Sequence, residues 1–393
     1  MSRLHFLTAG ESHGPCLTAI VEGLPAGLPM EVEVIDYDLA RRQGGYGRGG
    51  RMKIEQDTAH ILSGVIDGKT TGSPLTLRID NRDWANWEAR WAAGTGSAEL
   101  PKLTIPRPGH ADYAGMVKYG IDDARPILER ASARETAARV AVGAVAKLLL
   151  AQFGVSIYSY VSEIGGVVAQ VPDLPSTNLH DLAEASDVRC PNPTAAEAMR
   201  AAIRHAKEDG DSLGGVIVVT AEGVPVGLGS HVQWDRRLDA RLGAAIMSIP
   251  AIKGIEIGPA FENARLPGTQ VHDEFEQMAN RKSQIANHPT TQPPIRRTSN
   301  RAGGIEGGIS NGMSIVIRAA MKPIPTTITP LRSVDLATGE PAATQYQRSD
   351  VCAVPAASIV GEAMMAWVLA EALLEKLGGD SLREMRTRMD RHR

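Results

Sequence analysis

The chain has 393 residues, with 42 basic and 45 acidic side chains and a formal net charge of −3. That balance argues against a protein whose main work is coating nucleic acid or anionic membrane. With 40 glycines and only 4% aromatic residues, the core must be aliphatic and alanine-rich, and many backbone positions need turns or close approach. Cys16, Cys190 and Cys352 lie far apart with no CxxC pair, which excludes zinc ribbons and disulfide frameworks. The start, MSRLHFLTAGESHG, carries no apolar h-region, so no signal peptide is expected and the chain reads as cytoplasmic. No Pro/Ser/Gly linker separates two folding units, so residues 1–393 read as one domain.

In chain order, the first strand-like run is His5–Thr8. Gly10-Glu11-Ser12-His13-Gly14 follows, a histidine between glycines at a strand end, where catalytic side chains usually project. Residues 41–51 pack four arginines and five glycines into eleven positions. Glycine permits tight turns and arginine supplies a planar, permanently charged fork for phosphate or carboxylate. An RNA-binding RGG tract is the competing reading. It is disfavoured because the tract occurs once, with no low-complexity tail. Thr76–Ile79 reads as a strand, and Trp84, Trp87 and Trp91 are spaced for one helix face and read as packing.

Arg107-Pro108-Gly109-His110-Ala111-Asp112 repeats the pattern of a histidine beside glycine. His13 and His110 could serve as acid and base near neutral pH. Glu129-Arg130-Ala131-Ser132 leads into a helix that Ser132 and Glu135 are expected to start as a capping box. Ala137, Val140, Ala144 and Leu148 form its apolar stripe, and Gly154 stops it. Free N–H groups at its start, with Arg130 and Arg134, make an anion site.

Further on, Ile217–Thr220 and Ile315–Ile317 read as strands, 287–297 with three prolines as a surface loop, and residues 303–308 as a second glycine cluster. Lys322-Pro323-Ile324-Pro325-Thr326 is stiff, with a lysine at its head. Arg348-Ser349-Asp350 sets a carboxylate beside an arginine before the last long helix, about 356–377. Glu362, Glu371 and Glu375 interrupt that helix, making it a poor membrane span and a good amphipathic helix. The tail from Leu382 to Arg393 holds five arginines and reads as solvated and frayed. The histidines show no H-x-x-x-H spacing, so no catalytic metal is expected. A phosphotransferase reading fails for want of G-x-x-x-x-G-K-[ST].

GESHG at 10–14, RRQGGYGRGGRM at 41–52, RPGHADY at 107–113, ERASARET at 129–136, NRAGGIEGGISNG at 300–312, KPIPT at 322–326 and QRSDVCAVPA at 347–356 together resemble the chorismate synthase family, in the family's order and over nearly the whole chain. The residue pattern alone supports only a mixed helix and sheet protein. The resemblance implies an α+β single-domain βαβ sandwich, with helices packed between antiparallel sheets, assembled as a homotetramer. It implies a lyase of the last step of the shikimate pathway: anti-1,4 elimination of phosphate from 5-enolpyruvylshikimate 3-phosphate to give chorismate, using reduced FMN with no net redox change. By motif, it implies catalytic roles for His13, His110 and Asp350. It implies substrate contacts from Ser12, Arg42, Arg48, Arg51, Arg107 and Arg134. Flavin contacts are implied for Arg130, Ala131, Ser132, Pro250, Ala251, Gly307, Lys322, Pro323, Ile324, Pro325, Thr326 and Arg348. Pro250 departs from the Gln or Asn of several family members, so any contact there must use the carbonyl or shape. NADPH enters only as an indirect source of reducing equivalents. Whether the chain reduces its own flavin or draws on a separate flavin reductase stays open at this point. No nucleic acid or membrane partner is expected.

Overall fold

The structure, a computed structural model, describes residues 4–50, 54–91, 101–277, 295–345 and 349–392. Its strands are β1 (His5–Ala9), β2 (Cys16–Glu22), β3 (Ala59–Ser63), β4 (Val65–Ile66), β5 (Lys69–Thr70), β6 (Leu75–Asp80), β7 (Ser156–Ile164), β8 (Val167–Val168), β9 (Gly215–Glu222), β10 (Ile252–Ile257), β11 (Phe275–Gln277), β12 (Ile295–Arg297), β13 (Ile305–Glu306), β14 (Ile309–Ser310), β15 (Ile315–Met321), β16 (Arg332–Val334) and β17 (Pro341–Ala343). Its helices are α1 (Val32–Gln43), α2 (Asp112–Tyr119), α3 (Arg125–Ala131), α4 (Thr136–Ala151), α5 (Ser176–Glu184), α6 (Pro193–Glu208), α7 (Leu238–Met247), the single turns α8 (Ala260–Asn263) and α9 (Gly268–Val271), α10 (Val354–Leu377) and α11 (Leu382–His392).

Two antiparallel sheets dominate, one in the order β1-β2-β6-β3 and one in the order β10-β15-β9-β7-β8. In β6, Leu75, Leu77 and Ile79 are buried while Arg78 between them is exposed, the period-2 pattern of a sheet with one covered face. The cover is α4, which packs on β2 and β6; α10 packs on α4 and on β7 and β9. The two alanine-rich helices cross closely because Gly143 has no side chain. A Cβ there would stand 2.3 Å from the Cβ of Ala363.

The α10 helix departs from the amphipathic expectation. It is the one helix among the described residues long and apolar enough to cross a membrane, yet 20 of its 24 residues are buried within the protein. A helix apolar all round belongs in a core. Its one buried acid, Glu362, is fully enclosed. It accepts hydrogen bonds from Arg41 at 2.8 Å, Lys147 at 2.6 Å and Ser159 at 2.5 Å. Burial alone would push this carboxyl up, but Lys147 and Arg41 outweigh it and hold it well below the usual carboxylate range.

Four local expectations need correcting. Ser132 caps a single 3-10 turn, 133–135, by accepting from the Arg134 N–H. Glu135 turns instead to Thr8 at 2.7 Å and Arg139 at 2.8 Å, so no capping box forms. Trp84, Trp87 and Trp91 lie on and beside two short 3-10 turns, not on one helix face. The tail is not frayed: α11 buries Leu382, Met385 and Met389, an i, i+3, i+7 stripe that the arginines between them conceal. Of the supposed loop 287–297, residues 295–297 form β12 and the rest lies outside the described residues.

Candidate active site

A cavity of about 940 Å³ opens where the β1–β2 loop, the arginine–glycine loop after α1, the 107–111 loop, α3, the start of α4 and the start of α10 meet. Glycine makes the meeting possible. At Gly49 a Cβ would stand 2.7 Å from the carbonyl oxygen of Ser349, and the bare backbone N–H instead donates to Asp350 Oδ1 at 2.6 Å. Arg48 closes the same carboxylate from the other side, Nη1 to Oδ2 at 3.0 Å.

Beside this pair lies a buried cationic wall. Arg42 donates to Thr136 Oγ1 and to the Ala133 carbonyl, each at 2.9 Å. Arg134 donates to Asn81 Oδ1 at 2.8 Å and to Asp57 Oδ1 at 2.6 Å. Asp57 also faces Arg42 at 3.4 Å, so one carboxylate serves two arginines. Burial pushes the Arg42 guanidinium down to about 10; Asp57 opposes the shift, and Arg134 and Arg48 add to it. It remains charged at neutral pH, and an incoming anion would relieve the crowding.

His110 and Arg107 share a second carboxylate. Asp112 Oδ1 lies 2.5 Å from His110 Nδ1, and Asp112 Oδ2 accepts from Arg107 Nε at 2.8 Å. A carboxylate only accepts, so the 2.5 Å contact places a proton on Nδ1, and Nε2, with Arg107 Nη2 3.4 Å away, is the nitrogen left to exchange a proton. Burial would raise the Asp112 carboxyl, but the bonds from His110 and Arg107 prevail and hold it well below the usual range. Arg107 also donates to Thr326 Oγ1 at 3.2 Å, tying the 107–111 loop to the Lys322–Thr326 segment.

His13 stands on its own carboxylate, with Nδ1 at 2.9 Å from Glu129 Oε1 and its ring 4.1 Å from that of Trp87. Ser12 receives a hydrogen bond from Ser132 Oγ at 3.0 Å. Partial burial and the nearby Lys253 push the Lys322 ammonium down. No carboxylate among the described residues pairs with that ammonium, so it is a cation suited to an anionic ligand.

The cavity wall thus takes in Ser12, His13, Arg42, Arg48, Arg107, His110, Arg130, Ala131, Ser132, Arg134, Pro250, Ala251, Lys322, Ile324, Pro325, Thr326 and Asp350. Arg51 and Arg348 lie outside the described residues. Two expected positions are off the wall. Pro323 sits between wall residues and offers its carbonyl to Lys322 Nζ at 3.5 Å. Gly307 lies in the β13–β14 turn at φ +58, with His231 the nearest neighbour to a Cβ placed there. Its glycine is accounted for by the turn. Arg41, inside the arginine–glycine tract, turns away from the cavity into the Glu362 network. Sequence reasoning missed Asp57, Asp112, Glu129 and Trp87. The first and third act across 77 and 116 positions of chain, and no local spacing announces such pairs.

A sequence model of chorismate synthase matches residues 4–374. The chain belongs to the chorismate synthase family. It is 58% identical over 384 residues to the chorismate synthase of Geobacter sulfurreducens, covering 98% of this chain and 96% of that one. It is 56% identical over 391 residues to that of Desulforamulus reducens, with 98% and 97% covered. A solved structure described as a crystal structure of chorismate synthase, 45% identical, superposes with a TM-score of 0.77 and covers 100% of this chain and 98% of that one. The activity is accordingly the family's: a lyase reaction of aromatic amino-acid biosynthesis that converts 5-enolpyruvylshikimate 3-phosphate to chorismate and phosphate. The mixed helix and sheet architecture agrees with that solved neighbour.

Proposed function

We propose that the cavity holds reduced FMN and 5-enolpyruvylshikimate 3-phosphate together, with substrate on the arginine wall and flavin on the opposite rim. One observation carries this. Arg42, Arg48, Arg107 and Arg134 surround a single cavity with His13, His110 and Asp350, and its floor of Ala353, Ala356, Ala357 and Val360 is apolar. A substrate with one phosphate and two carboxylates needs several cations, and a flat ring needs an apolar bed. The volume accommodates both molecules, and the uncompensated Lys322 ammonium fits the phosphate end of the flavin.

The C–H bond to be broken is not acidic, so no side-chain base removes its proton unaided. When bound, reduced flavin would supply the transient electron density that elimination at a non-acidic C–H requires. The chain's residues do the rest. Arg42, Arg48 and Arg134, with Ser12 and Arg51, hold the substrate anions. His110, its Nδ1 proton held by Asp112, offers Nε2 to the departing phosphate as acid while Arg107 balances charge. His13 faces the flavin and stabilises its reduced, anionic form. Asp350, steadied by Arg48 and the Gly49 N–H, takes up the proton released from carbon. Arg130 to Ser132, Pro250 and Ala251, the Lys322–Thr326 segment and Arg348 frame the flavin; Gly307 is not part of that frame within one chain.

The layer order, with sheets flanking the α4–α10 pair, supports a one-domain βαβ sandwich. Assembly as a homotetramer, cytoplasmic location and supply of reduced flavin from outside the chain, with NADPH only an indirect source, complete the proposal. Anaerobic titration with reduced FMN and substrate tests it: each ligand should bind once per chain and tighten the binding of the other. Binding at a mutually exclusive site would contradict the proposal.

A further inference from the structure

We infer that Glu129 is a positioning residue for the reaction, fixing which nitrogen of His13 faces the cavity. The inference rests on the proposed role of His13 and deepens it.

Glu129 projects from α3 and its side chain is only 1% exposed. Its carboxylate meets His13 twice. Oε1 and Oε2 lie 2.9 and 3.1 Å from Nδ1, and Oε2 also accepts the His13 backbone N–H at 2.9 Å. The backbone carbonyl of the same residue accepts the Ser12 N–H at 3.2 Å. One buried residue therefore takes up two successive amides of the β1–β2 loop and one edge of the imidazole. Trp87 covers a face of that ring at 4.1 Å, tilted 35°. Backbone, ring edge and ring face are all held, and Nε2 is left toward the cavity that His13 lines. No group among the described residues bonds it.

The proton placement follows from chemistry. A buried carboxylate accepts and does not donate, so the nitrogen beside it must carry hydrogen. With Nδ1 protonated, Nε2 is the site at which a proton is gained or given. Loss of this constraint has a defined consequence. In Glu129→Gln the amide oxygen can still accept the His13 backbone N–H. Its NH₂ group then faces Nδ1 and favours the opposite tautomer, with the ring proton on Nε2. A Ser-His-Asp triad suffers in the same way when its carboxylate becomes an amide. Glu129→Asp keeps the charge but is one methylene short, so it retains the tautomer and loosens the ring.

The experiment combines kinetics with ¹⁵N NMR of histidine-labelled, flavin-free protein, the His13 signals being assigned by their loss in His13→Ala. In the parent, Nδ1 should be protonated; in Glu129→Gln the proton should move to Nε2. Turnover of Glu129→Gln should fall by about 10²-fold, a share of the range typical of general acid–base assistance, with substrate affinity and thermal melting near those of the parent. Glu129→Asp should recover at least a tenfold share. In the His13→Ala background, Glu129→Gln should slow the enzyme no further. If His13→Ala turns over at the parent rate, the role of His13 itself fails. If His13→Ala is slow while Glu129→Gln is fast and keeps its Nδ1 proton, the role of Glu129 alone is overturned. Should Glu129→Gln not fold, Glu129→Asp decides. Parental melting and an intact tautomer support positioning; a lost Nδ1 proton despite the retained charge overturns it.

Discussion

Replacing Arg48 by alanine should separate substrate binding from flavin binding. Arg48 is 10% exposed, lines the cavity and sets Nη1 3.0 Å from Asp350, where a substrate anion would meet its guanidinium. A hydrogen bond to a charged partner contributes about 1.5–3 kcal/mol. At 1.4 kcal/mol per decade, losing one such bond raises the substrate dissociation constant about 10- to 150-fold. The flavin constant should move far less, because Arg48 belongs to the arginine wall proposed for substrate. Arg48→Lys should recover little, since a point charge cannot bond Asp350 and a substrate oxygen in one plane. Anaerobic calorimetry measures the substrate constant and flavin fluorescence the other. An unchanged substrate constant, or equal losses for both ligands, would refute the reasoning.

Other expectations concern chemistry and packing. His110→Ala and His13→Ala should each lower turnover by about 10²- to 10⁴-fold without lowering the melting temperature, and only His13→Ala should alter the absorption of bound reduced flavin. Parental rates, or unfolding of both, would contradict these roles. Glu362→Gln takes from Arg41 and Lys147 the buried carboxylate they share, leaving them Asp38 and, for Arg41, Glu184, and should cost about 1–3 kcal/mol at pH 7 by denaturant titration. Because the folded carboxyl is held below its unfolded value, its contribution is full above the ordinary glutamate pKa of about 4.3 and is lost as the pH falls below it. The gap between parent and variant should therefore narrow in acid, and a constant gap would show that charge is not what matters. Gly143→Ala places a methyl 2.3 Å from Ala363 Cβ and should destabilise by about 1–3 kcal/mol; an unchanged stability would mean that the α4–α10 crossing can relax.

Local features were legible in the sequence. His13 and His110 stand beside glycine in loops, and the bodies of α4 and α10 show as alanine–leucine runs, because both signals lie within a few residues. What could not be read is what distant residues do to one another. Ser132 and Glu135 have capping-box spacing, yet Glu135 is claimed by Thr8, 127 positions away. Trp87 has helical spacing with its fellow tryptophans, yet the turns there are too short for a helix and its ring goes to His13. Glu362 interrupts an apolar run as a surface residue would, and only the approach of α1 and α4 turns it into the centre of a buried network. The carboxylates that orient the site share this history. Asp57 and Glu129 carry no local mark, and their function arises from side chains brought in by the fold.

The most direct measurement is turnover under strict anaerobiosis with chemically reduced FMN, with chorismate and reductant counted together and NADPH present or absent. Many chorismate molecules should form per flavin, with no net reductant consumed and no effect of NADPH once the flavin is reduced. One reductant lost per chorismate, or equal turnover without flavin, would contradict redox-neutral elimination at this cavity.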